Sequence, residues 1–208
     1  PKRSVTLYSG YEGEEKAQIT YNFNYAGDKI KTLTKFEYDD KDTLFESTTF
    51  RALDNQGVIP ADFNDLKAAT RSITKYSGFE GEEKAVRTWN YNFAGQTIKS
   101  TTVFDYTNDT LTTSSTFRGQ SNALKISDVV LTDTPIRSTT LYSGFEGEEK
   151  AQRTFNYNYV GDKIKTTTLF HYTDDVLDKS ITYRGNVTQE ANLQGEVDSA
   201  ALYRALAA

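Results

Sequence analysis

The sequence predicts an all-β protein, and three observations lead there. Runs of alternating polar and apolar residues recur at period two, Tyr, Phe and Thr concentrate inside those runs, and Gly- or Asp-rich turns separate them. In the last third of the chain Phe155, Tyr157 and Tyr159 fall on one side of a strand, with Thr154, Asn156 and Asn158 on the other. The next run places Ile164, Thr166, Thr168, Phe170 and Tyr172 together, against Lys165, Thr167 and His171. A further run sets Leu177, Ile181 and Tyr183 opposite Asp178, Ser180, Thr182 and Arg184. Glycine accepts positive φ and aspartate bonds its own downstream backbone, so Gly-Glu-Glu, Gly-Asp-Lys and Asp-Asp read as the turns between strands.

The same unit is written three times. RSVTLYSGYEGEEKA begins at Arg3, RSITKYSGFEGEEKA at Arg71 and RSTTLYSGFEGEEKA at Arg137. Residues 71–118 and 137–184 align without gaps and agree at 31 of 48 positions, so the copies are expected to share one fold. This gives β-repeats at 3–51, 71–118 and 137–185, linkers at 52–70 and 119–136, and a C-terminal segment at 186–208. Each repeat is expected to be an antiparallel four-stranded meander, the three forming an extended array or stacked sheets. A single sheet with one apolar face in water forfeits roughly 25 cal/mol per Å² of burial, so that face needs a cover. EVDSAALYRALAA, with Leu202 and Leu206 at helical spacing, predicts a short C-terminal helix, and 61–69 a second one starting near Asp62.

Composition narrows the function. Only 37% of residues are hydrophobic while 14 Tyr, 12 Phe and 1 Trp bring aromatics to 13%, so buried area must come largely from rings. A net charge of -5 argues against a nucleic-acid surface, which needs clustered Lys and Arg. The chain has no Cys, which removes disulfides, thiolate nucleophiles and Cys-ligated zinc. It also has no Met and opens on Pro1-Lys2-Arg3 inside a repeat, the expectation being a processed or excised piece of a longer parent. No apolar run approaches a membrane-spanning length, so no membrane insertion is expected, and since no charged-then-apolar stretch resembles a signal peptide, any targeting signal is expected to lie outside this sequence.

Candidate chemistry is sparse. His171 is the sole histidine, replaced by Glu37 and Asp105 in the other copies, and reads as an ordinary strand residue. The pairs Glu14-Glu15, Glu82-Glu83 and Glu148-Glu149 sit side by side rather than across a cleft, so they suit a charged hairpin end better than acid–base catalysis. Asp39, Asp40, Asp42, Asn108, Asp109, Asp174 and Asp175 supply oxygens at one loop per copy, but their spacing varies and turn formation explains them better than a calcium cage. Tyr21, Phe23 and Tyr25, then Trp89, Tyr91 and Phe93, then Phe155, Tyr157 and Tyr159 form an aromatic ladder that reads as core. As an alternative it is a sugar-stacking platform, with Trp89, Tyr91 and Tyr157 the ligand-stacking residues.

The hairpin FNYNYVGDKIKTTTLFHY, in which aromatic strands alternate with Gly-Asp turns, resembles the tyrosine-rich YD or Rhs-type tandem β-hairpin repeats of large bacterial surface proteins. The resemblance covers the three copies and implies an exposed scaffold without an active site. The expectation is therefore a non-enzymatic structural module of a larger secreted or cell-envelope protein, extracellular or at the cell surface. Its expected partners are further repeats or copies of itself, with no cofactor, no metal and no nucleic acid. The alternative is an adhesin-like module that binds cell-surface polysaccharide.

Overall fold

A computed structural model describes residues 1–54, 57–130 and 133–187. Twelve antiparallel strands form one open sheet in which strand order follows the chain. They are β1 Ser4–Ser9, β2 Lys16–Phe23, β3 Ile30–Tyr38, β4 Leu44–Ala52, β5 Ala68–Ser77, β6 Lys84–Tyr91, β7 Ile98–Thr107, β8 Thr110–Arg118, β9 Ile136–Ser143, β10 Lys150–Tyr157, β11 Ile164–Thr173 and β12 Val176–Arg184. Among the described residues, helix is confined to two three-residue 3-10 turns, Phe63–Asp65 and Ile126–Asp128. The predicted C-terminal helix lies outside the described residues. The chain divides within β7 into two compact units, Pro1–Thr101 and Thr102–Ala208.

In the first unit, β2 sends Ile19, Tyr21 and Phe23 to one face, and register carries the row across the sheet as Val5, Tyr21, Leu33 and Phe50. The cover comes from the segment between β4 and β5, expected to be a linker. It delivers Leu66, with Ile59 and Phe63, onto Tyr21, Phe23, Ile30 and Leu33, and the rings of Phe50 and Phe63 meet at 5.1 Å between centroids. Each fully buried large apolar side chain contributes about 1.5–3 kcal/mol, so this short segment supplies a real share of the core. Asp62 caps the 3-10 turn by accepting from the Asn64 N–H at 2.8 Å. That turn replaces the helix expected over 61–69, because Ala68 and Ala69 are drawn into β5 by pairing with Ala52 and Arg51.

The second unit repeats the arrangement with smaller residues. Val103 and Phe117 are buried under Val129, flanked by Ala123, Ile126 and Ile136. At β11 the buried positions are Thr167 and Leu169, and Val187 is buried beyond β12.

The expected faces of β11 need correction. Asn156 pairs with Thr166 but Tyr157 pairs with Ile164, so Lys165 is a bulge residue without an opposite number. The extra residue exchanges the two faces on either side of it. Thr167 and Leu169 therefore face the core side with Phe155, while Thr166, Thr168 and Phe170 turn to the opposite side. Lys31 plays the same part between Thr32 and Ile30. The opposite face carries facing threonines whose hydroxyls bond in pairs. These are Thr6–Thr20, Thr34–Thr49 and Thr74–Thr88 in the first unit, at 2.9, 3.0 and 2.9 Å. Thr102–Thr116, Thr140–Thr154 and Thr168–Thr182 follow in the second, at 2.9, 2.8 and 2.8 Å. Pairing the hydroxyls satisfies both partners and fixes strand register.

Candidate functional site: turn rings and strand junctions

Each β-repeat sequence carries an Asn-aromatic-apolar-Gly turn, the third residue being Ala26, Ala94 or Val160, and backbone requirements shape it. Asn24 closes it by accepting the Gly27 N–H at 3.0 Å and donating to Lys29 O at 2.8 Å, while its side-chain oxygen accepts from the Asp28 N–H at 3.1 Å. Asn92 and Asn158 act alike toward Gly95 and Gly161. Gly27, Gly95 and Gly161 take φ of +75°, +74° and +87°, as expected. The turn ejects the third ring of each aromatic triplet. Tyr25, Phe93 and Tyr159 are 98%, 76% and 80% exposed, so they do not continue the strand ladder. Asn158, expected on an outward strand face, is instead folded back as a turn ligand, whereas Asn156 stays on β10 and donates to the Thr166 hydroxyl at 3.2 Å.

Two of these rings are met by arginine. The Arg51 guanidinium lies 5.3 Å from the Phe93 ring centre and donates to the carbonyls of Asn92 and Phe93 at 3.1 and 3.2 Å. Arg118 lies 4.9 Å from Tyr159 and donates to the Tyr159 and Asn158 carbonyls at 3.0 and 3.5 Å. Of the candidate ligand-stacking residues, Trp89 is half-buried at the end of β6 with the Arg87 guanidinium 4.1 Å from its ring centre. Burial pushes the Arg87 pKa down. Tyr91 and Tyr157 end β6 and β10 and are half-buried, as are Asn92 and Asn158 beside them. The fold thus places Trp89 and Tyr91 two residues apart on β6, on one side of that strand, and Tyr157 on another strand, β10.

The acidic turns at the other strand ends have a role that adjacency in sequence hides. The second carboxylate folds back onto a glycine N–H, Glu15 on Gly13, Glu83 on Gly81 and Glu149 on Gly147, at 3.0, 3.0 and 3.1 Å. The other oxygen of Glu83 accepts from the Leu44 N–H at 3.0 Å, and that of Glu149 from the Leu111 N–H at 3.0 Å. Burial pushes the Glu83 carboxyl up, but the N–H groups of Leu44, Glu83 itself and Gly81, with Lys16 nearby, outweigh it and hold the group below its ordinary value. Tyr76 bonds the Ser47 hydroxyl at 3.0 Å and Tyr142 that of Ser114 at 3.0 Å. The β4–β5 and β8–β9 junctions also share a register, with Ser47 opposite Thr74 and Ser114 opposite Thr140.

The remaining polar candidates are occupied in turn geometry. Asp39 accepts from Lys41 and Thr43 N–H at 2.9 and 3.0 Å. Asn108, Asp109, Asp174 and Asp175 hold positive φ, between +47° and +64°, which Asn and Asp tolerate better than other L-residues. His171 stands opposite Lys179 and lines an open groove of about 500 Å³ with Phe145, Lys150, Gln152, Tyr172 and Asp175. A matching groove of about 580 Å³ in the first unit is lined by Lys16, Gln18, Phe36, Tyr38 and Asp42 among others. Among the described residues no helix is long and apolar enough to cross a membrane.

No family model and no curated protein matches the chain. Among solved structures it is similar to a protein of unknown function from Bacteroides fragilis, at 12% identity and a TM-score of 0.25, over 88% of this chain and 93% of that one.

Proposed function

We propose that the chain is a non-enzymatic structural module, three tandem four-stranded repeats that continue one another as an extended array within a larger secreted or cell-envelope protein. The observation that carries this reading is the recurrence of one contact set at two junctions. Ser47–Tyr76, Leu44–Glu83 and Arg51–Phe93 return as Ser114–Tyr142, Leu111–Glu149 and Arg118–Tyr159. Interfaces built from repeated nearest-neighbour contacts are what a tandem array needs. The bacterial surface-repeat resemblance and the assignment of polar side chains to turns and caps support the same reading. Its natural partners are further repeats. Solution scattering tests it. A compact chain of this length has a radius of gyration of about 17 Å, and a value near that would overturn the array.

A second reading, an adhesin-like module that binds polysaccharide, is favoured by the paired open grooves, where Lys, Gln, Phe, Tyr and Asp converge in both units. Amide and carboxylate groups beside rings are the chemistry that holds sugars. A glycan array followed by Tyr38→Ala and Tyr172→Ala in the grooves and by Trp89→Ala, Tyr91→Ala and Tyr157→Ala on the strands separates the readings, and hits that survive the groove variants remove the grooves as the site. The absence of any hit, or hits that the last three variants all retain, removes stacking on those three rings.

A further inference from the structure

The two outermost strands carry the halves of a junction that the chain already makes twice. At β4–β5 and β8–β9 the first strand offers a serine hydroxyl and a leucine N–H near its start, Ser47 with Leu44 and Ser114 with Leu111. The second strand and its following turn answer with a tyrosine hydroxyl and a glutamate oxygen. At the same sequence positions β12 presents Ser180 and Leu177, while β1 and its turn present Tyr8 and Glu15. Arg184 stands where Arg51 and Arg118 do, and Tyr25 where Phe93 and Tyr159 do.

Among the described residues, exposure follows the absence of a neighbouring strand. Tyr8 is 64% exposed, whereas its counterparts Tyr76 and Tyr142 are half-buried; Leu177 is 52% exposed, whereas Leu44 and Leu111 are half-buried. Of the nine residues of β12, only Ile181 and Tyr183 are half-buried and the other seven are exposed. Glu15 makes the glycine contact of its relatives but, among the described residues, no second one. Unpaired strand edges hold rows of free N–H and C=O groups and template further pairing.

We propose that β12 of one copy of this chain pairs antiparallel with β1 of a second copy in the register of the internal junctions, placing Ser180 opposite Thr6, Ile181 opposite Val5 and Thr182 opposite Ser4. The Tyr8 hydroxyl then meets Ser180, Glu15 accepts from the Leu177 N–H, and Arg184 covers the Tyr25 ring. The interface joins different surfaces, so each addition exposes a new β1 or β12 and assembly proceeds head to tail. The inference rests on the tandem-array reading and specifies its partner as a second copy of the chain.

Because the chain lacks cysteine, disulfide trapping tests the register directly. Full-length Thr6→Cys and Ser180→Cys chains are mixed under mild oxidation, and linked peptides are identified by mass spectrometry. The expected result is a 6–180 bridge in several-fold excess over 6–6 and 180–180 bridges. Val5→Cys, whose side chain points to the other face, should show no excess with Ser180→Cys. The Ser47→Cys and Thr74→Cys double variant provides the internal standard for the same residue pair. If its bridge closes and the 6–180 bridge shows no excess, the head-to-tail pairing is overturned while the array reading stands. If its bridge fails to close, the junction register is wrong and both fall. An equal 5–180 yield would also overturn the proposed register.

Discussion

Leu33 and Thr167 occupy the same position in the first and third sequence copies, and both are fully buried, yet they hold their covering segments by different physics. Leu33 sits in an apolar cluster under Leu66, with Tyr21 and Phe50 on the flanking strands. Thr167, between Phe155 and Tyr183, donates its hydroxyl to Gly185 O at 2.8 Å and accepts from the Val187 N–H at 3.0 Å. The first unit is sealed by area and the second pins its last described residues with a buried hydroxyl. The lesson is that one strand framework accepts either solution, provided something closes the face.

The comparison can be broken by truncation. Leu33→Ala should destabilise the protein by about 2–5 kcal/mol, since truncating a fully buried leucine leaves a cavity under Leu66. Urea denaturation measures it, and a loss under about 1 kcal/mol would show that Leu66 and its neighbours do not seal the cluster. Thr167→Val keeps the shape and removes both hydrogen bonds, leaving a buried N–H and a carbonyl unsatisfied, a loss of about 1–3 kcal/mol. Amide exchange should accelerate at Val187, and Thr167→Ser should restore protection. If valine is neutral, packing alone holds that segment and the contrast with Leu33 disappears.

Gly161→Val sharpens a different part of the contrast, the dependence of the exposed turns on backbone rather than on cover. Its φ is +87°, and a Cβ there would lie 2.9 Å from the Ile136 N. An L-residue in that region loses about 1–2 kcal/mol before the contact is counted. Loss of exchange protection from Phe155 to Tyr172 is the expected signature, and unchanged protection would refute the turn assignment.

The smallest effect is expected from pH. The Glu83 carboxyl is depressed in the folded state, so the stabilisation it provides to the β4–β5 junction is complete above the ordinary carboxylate pKa. It is lost as pH falls through the lower folded value. Glu83→Gln should flatten that part of the stability profile and leave neutral pH little changed. An unaltered acid limb would mean that the Leu44 contact does not couple to folding.

Much of this was legible before the fold. The period-two runs located the strands because a pleated backbone must alternate its side chains, and Gly27, Gly95 and Gly161 announced turns because positive φ excludes a Cβ at low cost. The threefold motif marked out the repeated positions on which the proposed junctions rest. The faces of β11 were misread because a bulge at Lys165 leaves no composition signal, and one unpaired residue inverts everything beyond it. The role of Glu83 and Glu149 was hidden for a similar reason. Their partners, Leu44 and Leu111, lie 39 and 38 residues away, and the group bonded is a backbone N–H that no residue type advertises.

The sequence by itself determined strand, turn and copy, since those follow from local sterics and periodicity. Tertiary structure alone decided what covers the apolar face. The segments 52–70 and 119–136 share almost no sequence, yet Phe63 with Leu66 and Ile126 with Val129 carry out the same task through equivalent 3-10 turns. Hydrophobic burial is non-directional and asks only for apolar area at the right place. Many sequences satisfy it, and which residues do so is settled only when the chain returns across the sheet.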